Sequence, residues 1–157
     1  MIVYRLTRSK FKHDISGTGA KMAGGRWNSI GIPVLYTAES RALAALEIAV
    51  HTPLNIVPED YVMVTIFIPD KVDIEEILTK DLPRDWKSFP ENRYTQSVGN
   101  KFFMESNNLA LKVPSAIIQG DHNILLNPNH KDFIKVKMLS SAPFEFDQRL
   151  FIKGAEA

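Results

Sequence analysis

A carboxylate lies in the middle of the most apolar stretch of the chain. Glu47 belongs to residues 42–50, and at helical spacing it shares one face with Leu43, Leu46 and Val50. Burying an ionised carboxyl on an apolar face is costly unless the group is paired or has a chemical task. Periodicity alone leaves two interpretations open: a helix-edge residue that reaches solvent or an arginine, and a functional carboxylate.

Arg26 and Tyr36 are the next candidates, and both precede Glu47 in the chain. Arg26 follows Gly24 and Gly25. Glycine lets the backbone approach a ligand, so the guanidinium could clamp a phosphate group or pair with a carboxylate such as Glu47. Tyr36 ends a short predicted strand, where its ring can stack on a ligand, donate its hydroxyl or simply join the core.

Ser115 and the histidines complete the set of reactive side chains. Ser115 lies in the apolar run 113–118, so its hydroxyl needs a partner, either a neighbouring carbonyl or a ligand. It lacks the Gly-x-Ser-x-Gly pattern of an acyl-transfer nucleophile. No metal site is predicted, because metal-ligand spacing is missing among His13, His51, His122 and His130. Turn-like residues beside the last two histidines predict a loop that closes around a site.

Composition limits the class of protein. The 157 residues are 45% hydrophobic and 24% charged, with a net charge of +1. These values are typical of a globular chain, and a single domain over 1–157 is the simplest organisation. The lack of cysteine excludes disulfides and thiolate metal sites and fits a cytoplasmic location. Neither a signal peptide nor a membrane span is predicted from the apolar stretches.

Hydrophobic periodicity and turn residues predict the elements that must position these side chains. Helices are predicted at 40–51 and at 94–107, the second weakened by Gly99. Strands are predicted at 2–6, 33–36, 61–68, 113–118, 124–126 and 134–138, with a weaker signal at 144–151.

The remaining segments and the fold class follow from this pattern. Residues 9–31 are expected to form a long functional loop, and 73–78 are ambiguous. Strands outnumber helices without regular alternation. This predicts an α+β fold with a mixed or antiparallel sheet and flanking helices.

Several sequence blocks together resemble one family, the RES-domain proteins, which are named for an arginine, a glutamate and a serine. The blocks occur in the family's order and their combination is specific, although residues 53–111 carry few diagnostic residues. Asp121 and His122 stand where the family often has an acidic residue. The resemblance is carried by Tyr4-Arg5-Leu6, Gly24-Gly25-Arg26-Trp27-Asn28 with Gly31 and Pro33, Val34-Leu35-Tyr36-Thr37-Ala38-Glu39-Ser40, Ala42-Leu43-Ala44-Ala45-Leu46-Glu47, Val113-Pro114-Ser115 and Asn123-Ile124-Leu125-Leu126-Asn127-Pro128-Asn129-His130.

The resemblance implies a toxin of a RES–Xre type II toxin–antitoxin system, with a fold related to ADP-ribosyltransferases. It implies depletion of NAD⁺ by cleavage of the nicotinamide–ribose bond, either as a glycohydrolase using water or as a phosphorylase using inorganic phosphate. NAD⁺ would be a substrate, and no cofactor is implied. The implied partner is an Xre-type helix-turn-helix antitoxin that covers the active site, and a homodimer follows by the same analogy.

The resemblance also implies roles for single side chains. Cleavage builds positive charge on the ribose, as in glycoside hydrolysis, and Glu47 would stabilise that charge. Arg26 would bind a phosphate group, and Tyr36 would stack on or orient the nicotinamide end. Further substrate contacts are expected from Ser115, Trp27 and Asn123.

Two alternatives remain at this point. One is an ADP-ribosyltransferase that modifies a macromolecule and shares the NAD⁺ site. The other is a non-catalytic module that binds nucleic acid or a protein partner, supported by the basic segment 1–26. The near-neutral total charge weakens the nucleic-acid interpretation, because such domains usually carry a stronger basic footprint.

Overall fold

A mixed β-sheet forms the centre of the computed structural model, which describes residues 1–152. The seven strands lie in the order β4-β5-β6-β2-β1-β3-β7, and β4 and β5 are the parallel pair. This confirms the predicted α+β class. The strands are β1 (Ile2–Arg8), β2 (Leu35–Ala38), β3 (Tyr61–Phe67), β4 (Ile74–Glu76), β5 (Ala110–Pro114), β6 (His122–Leu126) and β7 (Lys137–Phe144).

Within residues 1–152, three α-helices accompany the sheet, α1 (Thr18–Ala23), α2 (Arg41–Ala49) and α3 (Arg93–Glu105). The two longer helices begin at side-chain caps: Ser40 Oγ accepts from Leu43 N at 3.0 Å, and Asn92 Oδ1 accepts from Tyr94 N at 2.7 Å. No helix within residues 1–152 is long and apolar enough to cross a membrane.

Both faces of the sheet are buried, as alternate residues of strand β6 show. Ile124 and Leu126 pack in one core cluster, whereas Leu125 packs in a second cluster with Trp27 and aromatic residues of α3. A third cluster surrounds Leu43 of α2.

The sheet opens between two of its central strands. β1 pairs with β3 along its whole length, from Ile2 to Arg8. It pairs with β2 only at Tyr4, opposite Ala38. The strands therefore diverge beyond this pair, and a cavity fills the space next to β1.

Several predicted boundaries are wrong, each for a local reason. The loop predicted at 9–31 contains helix α1, whose six residues are too few to show periodicity and whose Ala20 packs against the core. The strand predicted at 113–118 ends at Pro114, because the Ser115 hydroxyl accepts from two following backbone N–H groups and turns the chain. The ambiguous segment 73–78 contains β4.

The C-terminal predictions also change. Ile134 lies in a 3-10 turn and is 86% exposed, so the strand predicted at 134–138 begins only at Lys137. The strand predicted at 144–151 is absent from the described residues: β7 ends at Phe144, and the chain then forms a 3-10 turn capped by Asp147. Alternation in these segments reflects isolated buried side chains such as Phe146, not a pleated strand.

The apolar face predicted for the Glu47 helix is only partly correct. Leu43 is buried and Leu46 half-buried, but Val50 lies at the C-cap of α2 and is 57% exposed. Ala44 completes the buried face instead. Glu47 therefore stands one turn beyond the buried residues, at the edge of a cavity rather than inside the core.

Candidate active site

Glu47 and Tyr36 lie at the centre of a cleft with two lobes. One lobe, of about 420 Å³, runs along β1 and is called the β1 lobe. The other, of about 720 Å³, borders the glycine-rich segment after α1 and is called the glycine lobe. A small cavity of about 50 Å³ lies between them. Both side chains border all three spaces, so the lobes belong to one site.

The Glu47 carboxylate is half-buried and forms no ion pair within residues 1–152, and the side-chain amide of Asn123 is close enough to stabilise its charged form. Burial raises the pKa of this carboxyl because the charged form loses solvation. The Asn123 side-chain amide and the positive charge of Arg26 oppose that rise. Glu47 is therefore a weakly solvated carboxylate. Because burial of such a group is otherwise unfavourable, it indicates a ligand-binding site.

Arg26 is presented by a tight turn. Gly25 N donates to Asn28 O at 2.9 Å and Asn28 N donates to Gly25 O at 3.4 Å, so Arg26 and Trp27 form the tip. Gly24, which ends α1, enters the turn at φ +72°, a conformation that glycine adopts without strain.

The Arg26 guanidinium is held by backbone carbonyls rather than by an acid. Its Nη1 donates to Trp86 O at 2.8 Å and to Ser88 O at 3.1 Å. No carboxylate within residues 1–152 lies at salt-bridge distance from it. Pairing with Glu47 is therefore limited to a longer-range attraction. No other hydrogen bond from the guanidinium to a protein acceptor is found among the described residues, and Arg26 borders the glycine lobe.

Tyr36 combines a structural hydroxyl with a ring that borders the cleft. The hydroxyl accepts from Trp27 N at 3.0 Å and donates to Asn28 Oδ1 at 2.8 Å. Burial raises the pKa of Tyr36 strongly, so the phenol stays protonated. A side chain on Gly25 would collide with this hydroxyl, since its Cβ would lie 2.8 Å away. The hydroxyl thus fixes the turn that carries Arg26.

Trp27 and Asn123 have contrasting environments at the small central cavity. Trp27 is 3% exposed, and its ring centroid lies 6.2 Å from that of Trp86. It is mainly a core residue whose edge borders the cavity. Asn123 is half-buried, donates from Nδ2 to Thr37 O at 3.3 Å, and borders the β1 lobe as well.

Ser115 lies beside the cleft without bordering it. Its side chain is 2% exposed, and Oγ accepts from Ile117 N and Ile118 N, both at 3.1 Å. The turn that it holds places Ala116 and Ile117 on the wall of the glycine lobe. The structure therefore brings together Arg26, Tyr36, Glu47, Trp27 and Asn123, and leaves Ser115 behind that wall.

Arg5 is a charged residue of the cleft that residue patterns did not single out. It borders the β1 lobe, and Nη1 donates to Asp14 O at 2.7 Å. Burial lowers the pKa of the guanidinium, and the charge of Asp14 opposes this change. In the sequence, Arg5 lies in the interior of the strand predicted at 2–6. A charge at such a position is energetically costly unless it has a partner or a ligand.

The segment from His122 to His130, predicted to close a loop around the site, begins with strand β6 instead, and neither histidine borders the cleft. His122 alternates with Asn123 and faces the other side of the sheet, where it stands near Glu39 and Glu76 at 3.5 and 3.9 Å. His130 caps a 3-10 turn by accepting from Asp132 N. That prediction is wrong. No group of three or more potential metal ligands is found within residues 1–152.

Comparison with known proteins places this cleft in a family. The RES domain model matches residues 2–147. The chain is 42% identical over 153 residues to Toxin Res of Photorhabdus laumondii subsp. laumondii, covering 96% of this chain and 97% of that protein. It is 37% identical over 143 residues to the Prs ADP-ribosylating toxin of Sphingobium sp. (strain YBL2), covering 90% and 89%.

The fold has a counterpart among solved structures as well. It is similar to a chain in the crystal structure of the M. tuberculosis MbcT–MbcA toxin–antitoxin complex, with a TM-score of 0.70 and 22% sequence identity, covering 96% of this chain and 86% of that one. The family model, the relatives and the shared fold agree with the blocks read from the sequence. The chain belongs to the RES-domain family, the family of the Res toxins.

Proposed function

We propose that this protein is the toxin of a toxin–antitoxin pair and that it cleaves the nicotinamide–ribose bond of NAD⁺. The observation that carries the proposal is the Glu47 carboxylate, which is half-buried, forms no ion pair among residues 1–152 and lies where the two lobes meet. The lobes have the volume of a small-molecule site and an arginine borders each. This arrangement suits a long ligand with two phosphates and a cationic centre.

The chemistry needs little from the protein beyond electrostatics and position. The bond between the ribose C1′ and the pyridine nitrogen breaks, and its electron pair neutralises the nicotinamide ring. The positive charge passes to the ribose, where Glu47 stabilises it. An acceptor oxygen then bonds to C1′, and a water or hydroxyl acceptor releases its proton to solvent. Because nicotinamide leaves as a neutral molecule, no general acid is required.

The remaining side chains bind and orient the substrate. Arg26 contacts a phosphate in the glycine lobe, and Arg5 contacts anionic or hydroxyl groups in the β1 lobe. The Tyr36 ring orients the nicotinamide end, with support from the amide of Asn123 and the edge of Trp27. Ser115 acts through the turn that it holds, whose residues Ala116 and Ile117 form the wall.

The partner proposed for the cleft is a cognate Xre-type helix-turn-helix antitoxin. The rim of the glycine lobe exposes Phe89 by 76% and Val50 by more than half. Exposed apolar side chains grouped at the entrance of a cleft are typical of a protein interface. Binding there would close the entrance and block NAD⁺. A homodimer stays a prediction.

A second candidate is ADP-ribosylation of a macromolecule, which the name of the Sphingobium relative favours. It would use the same cleft and the same bond cleavage, with a protein nucleophile as acceptor. Water, inorganic phosphate and a protein side chain all attack the same carbon, so the product identifies the acceptor.

The test incubates purified protein with NAD⁺, with and without inorganic phosphate, and then with a cell extract. Free nicotinamide with ADP-ribose shows hydrolysis, and ADP-ribose 1″-phosphate shows phosphorolysis. A mass increase on an extract protein shows transfer. Salt-dependent nucleic-acid binding without any release of nicotinamide would contradict the proposal and favour a binding module.

A further inference from the structure

Helix α3 contacts the Arg26 turn through one polar side chain. Gln96 Nε2 donates to Gly25 O at 3.0 Å and to Asn28 O at 3.4 Å. These carbonyls belong to the two residues that close the turn. One amide group therefore spans the base of the turn whose tip carries Arg26 and Trp27.

The neighbouring residues of α3 extend this contact. Gly99 lies against Trp27, so closely that a Cβ at this position would be 1.8 Å from Trp27 O. Asn100 Oδ1 accepts from Ser29 N at 2.9 Å, and Asn100 Nδ2 donates to Ser29 Oγ at 2.7 Å. Positions 96, 99 and 100 share one helix face. The glycine that weakens the helix pattern thus allows α3 to approach the turn.

We propose that Gln96 is a positioning residue for the NAD⁺ site: its amide clamps the base of the Gly25–Asn28 turn and thereby fixes where Arg26 meets the substrate. The inference rests on the proposed NAD⁺ cleavage. Gln96 borders none of the three spaces of the cleft and contacts no candidate substrate group, so it acts through Arg26.

Other contacts fix the opposite side of the turn independently of Gln96, so Gln96 is needed only to hold the base. The Tyr36 hydroxyl holds Trp27 N, and the carbonyls of Trp86 and Ser88 hold the guanidinium. Gln96 supplies the contact with the backbone at the base. Without it, the guanidinium keeps its partners but the turn gains freedom, and substrate binding then has to restrict that freedom.

The experiment compares Gln96→Glu with the wild type. The substitution keeps size and helix propensity but replaces the N–H donor with a carboxylate oxygen that faces two carbonyl oxygens. We expect the KM for NAD⁺ to rise roughly tenfold with a nearly unchanged kcat, because a ground-state contact is weakened. Gln96→Ala removes the donor without adding charge and serves if the first variant folds poorly. Gln148→Glu, on the exposed C-terminal 3-10 turn, is the charge-matched control.

A double-mutant cycle separates positioning from general loss of structure. In an Arg26→Ala background, Gln96→Glu should change KM by less than about twofold, because the residue through which it acts is gone. Full additivity of the two substitutions would overturn the proposal. So would an unchanged KM in both Gln96 variants.

A second measurement does not depend on NAD⁺. Amide hydrogen exchange at Gly25 and Asn28, whose N–H groups close the turn, should be faster in Gln96→Glu and unchanged in Gln148→Glu. Unchanged exchange at both amides overturns the clamp. Wild-type protein that releases no nicotinamide overturns the proposed function, and with it the role of Gln96 toward NAD⁺, while the exchange result still decides whether Gln96 holds the turn.

Discussion

Replacement of Glu47 by glutamine removes one negative charge at the meeting point of the two lobes. The substitution preserves size and leaves the neighbouring residues of α2 unchanged. A carboxylate and a ribosyl cation about 4 Å apart attract each other by about 4 kcal/mol at an effective dielectric constant of about 20, the value suited to a half-buried site. Since each 1.4 kcal/mol is about tenfold, kcat/KM for NAD⁺ should fall roughly a thousandfold.

Part of this loss should appear in KM. The nicotinamide ring already carries a positive charge in the bound substrate, so Glu47 attracts the ground state as well as the transition state. The assay measures nicotinamide release at several NAD⁺ concentrations. Glu59→Gln, at an exposed loop position, is the matched control and should behave as wild type. A decrease in kcat/KM of less than about tenfold for a folded Glu47→Gln protein would refute the role of this carboxylate.

The same substitution makes an independent prediction about stability. Burial raises the folded-state pKa of Glu47, so between the ordinary and the raised pKa the folded protein binds more protons than the unfolded chain. The contribution of Glu47 to stability is therefore present below the ordinary pKa and is lost as pH rises through the raised value. Glu47→Gln should be at least as stable as wild type at neutral pH, with the difference shrinking in acid. Thermal unfolding against pH tests this, and a clear destabilisation at neutral pH would contradict a carboxylate whose charged form is disfavoured by burial.

Four further substitutions test the residues that support the site. Tyr36→Phe leaves the Trp27 N–H without its acceptor, so we expect a loss of about 1–3 kcal/mol in denaturant-induced unfolding together with a higher KM for NAD⁺. Gly99→Ala should destabilise the fold severely or prevent folding. Gly19→Ala, whose added Cβ meets no neighbour within 4 Å, should raise the free energy of unfolding by up to about 1 kcal/mol in the same measurement. Ser115→Ala should lower unfolding stability by about 1–2 kcal/mol while nicotinamide release per folded molecule changes little; a large kinetic loss without destabilisation would instead favour direct contact with the substrate.

Helix and strand periodicity in the sequence determined much of the sheet and one key helix. The β-branched and aromatic run predicted at 61–68 forms β3, Tyr61–Phe67, and the segment predicted at 40–51 contains α2. These segments are predictable because burial of one or both faces of an element produces a regular spacing of apolar residues in the sequence. The candidates Arg26, Tyr36 and Glu47 also came from local patterns and the family blocks, and they lie around one cleft.

Only the tertiary structure decided the partners of those side chains. The side-chain amide of Gln96 donates to the carbonyl of Gly25, although the two residues are 71 positions apart in the sequence. Local sequence patterns contain no information about a contact between such distant residues. The same is true of the contact between Gly99 and Trp27, which turns an apparent helix weakness into a requirement of packing. Periodicity reports whether a segment is buried. Whether a hydroxyl holds a turn or faces a ligand depends on which distant groups come within hydrogen-bond distance, and that depends on the complete fold.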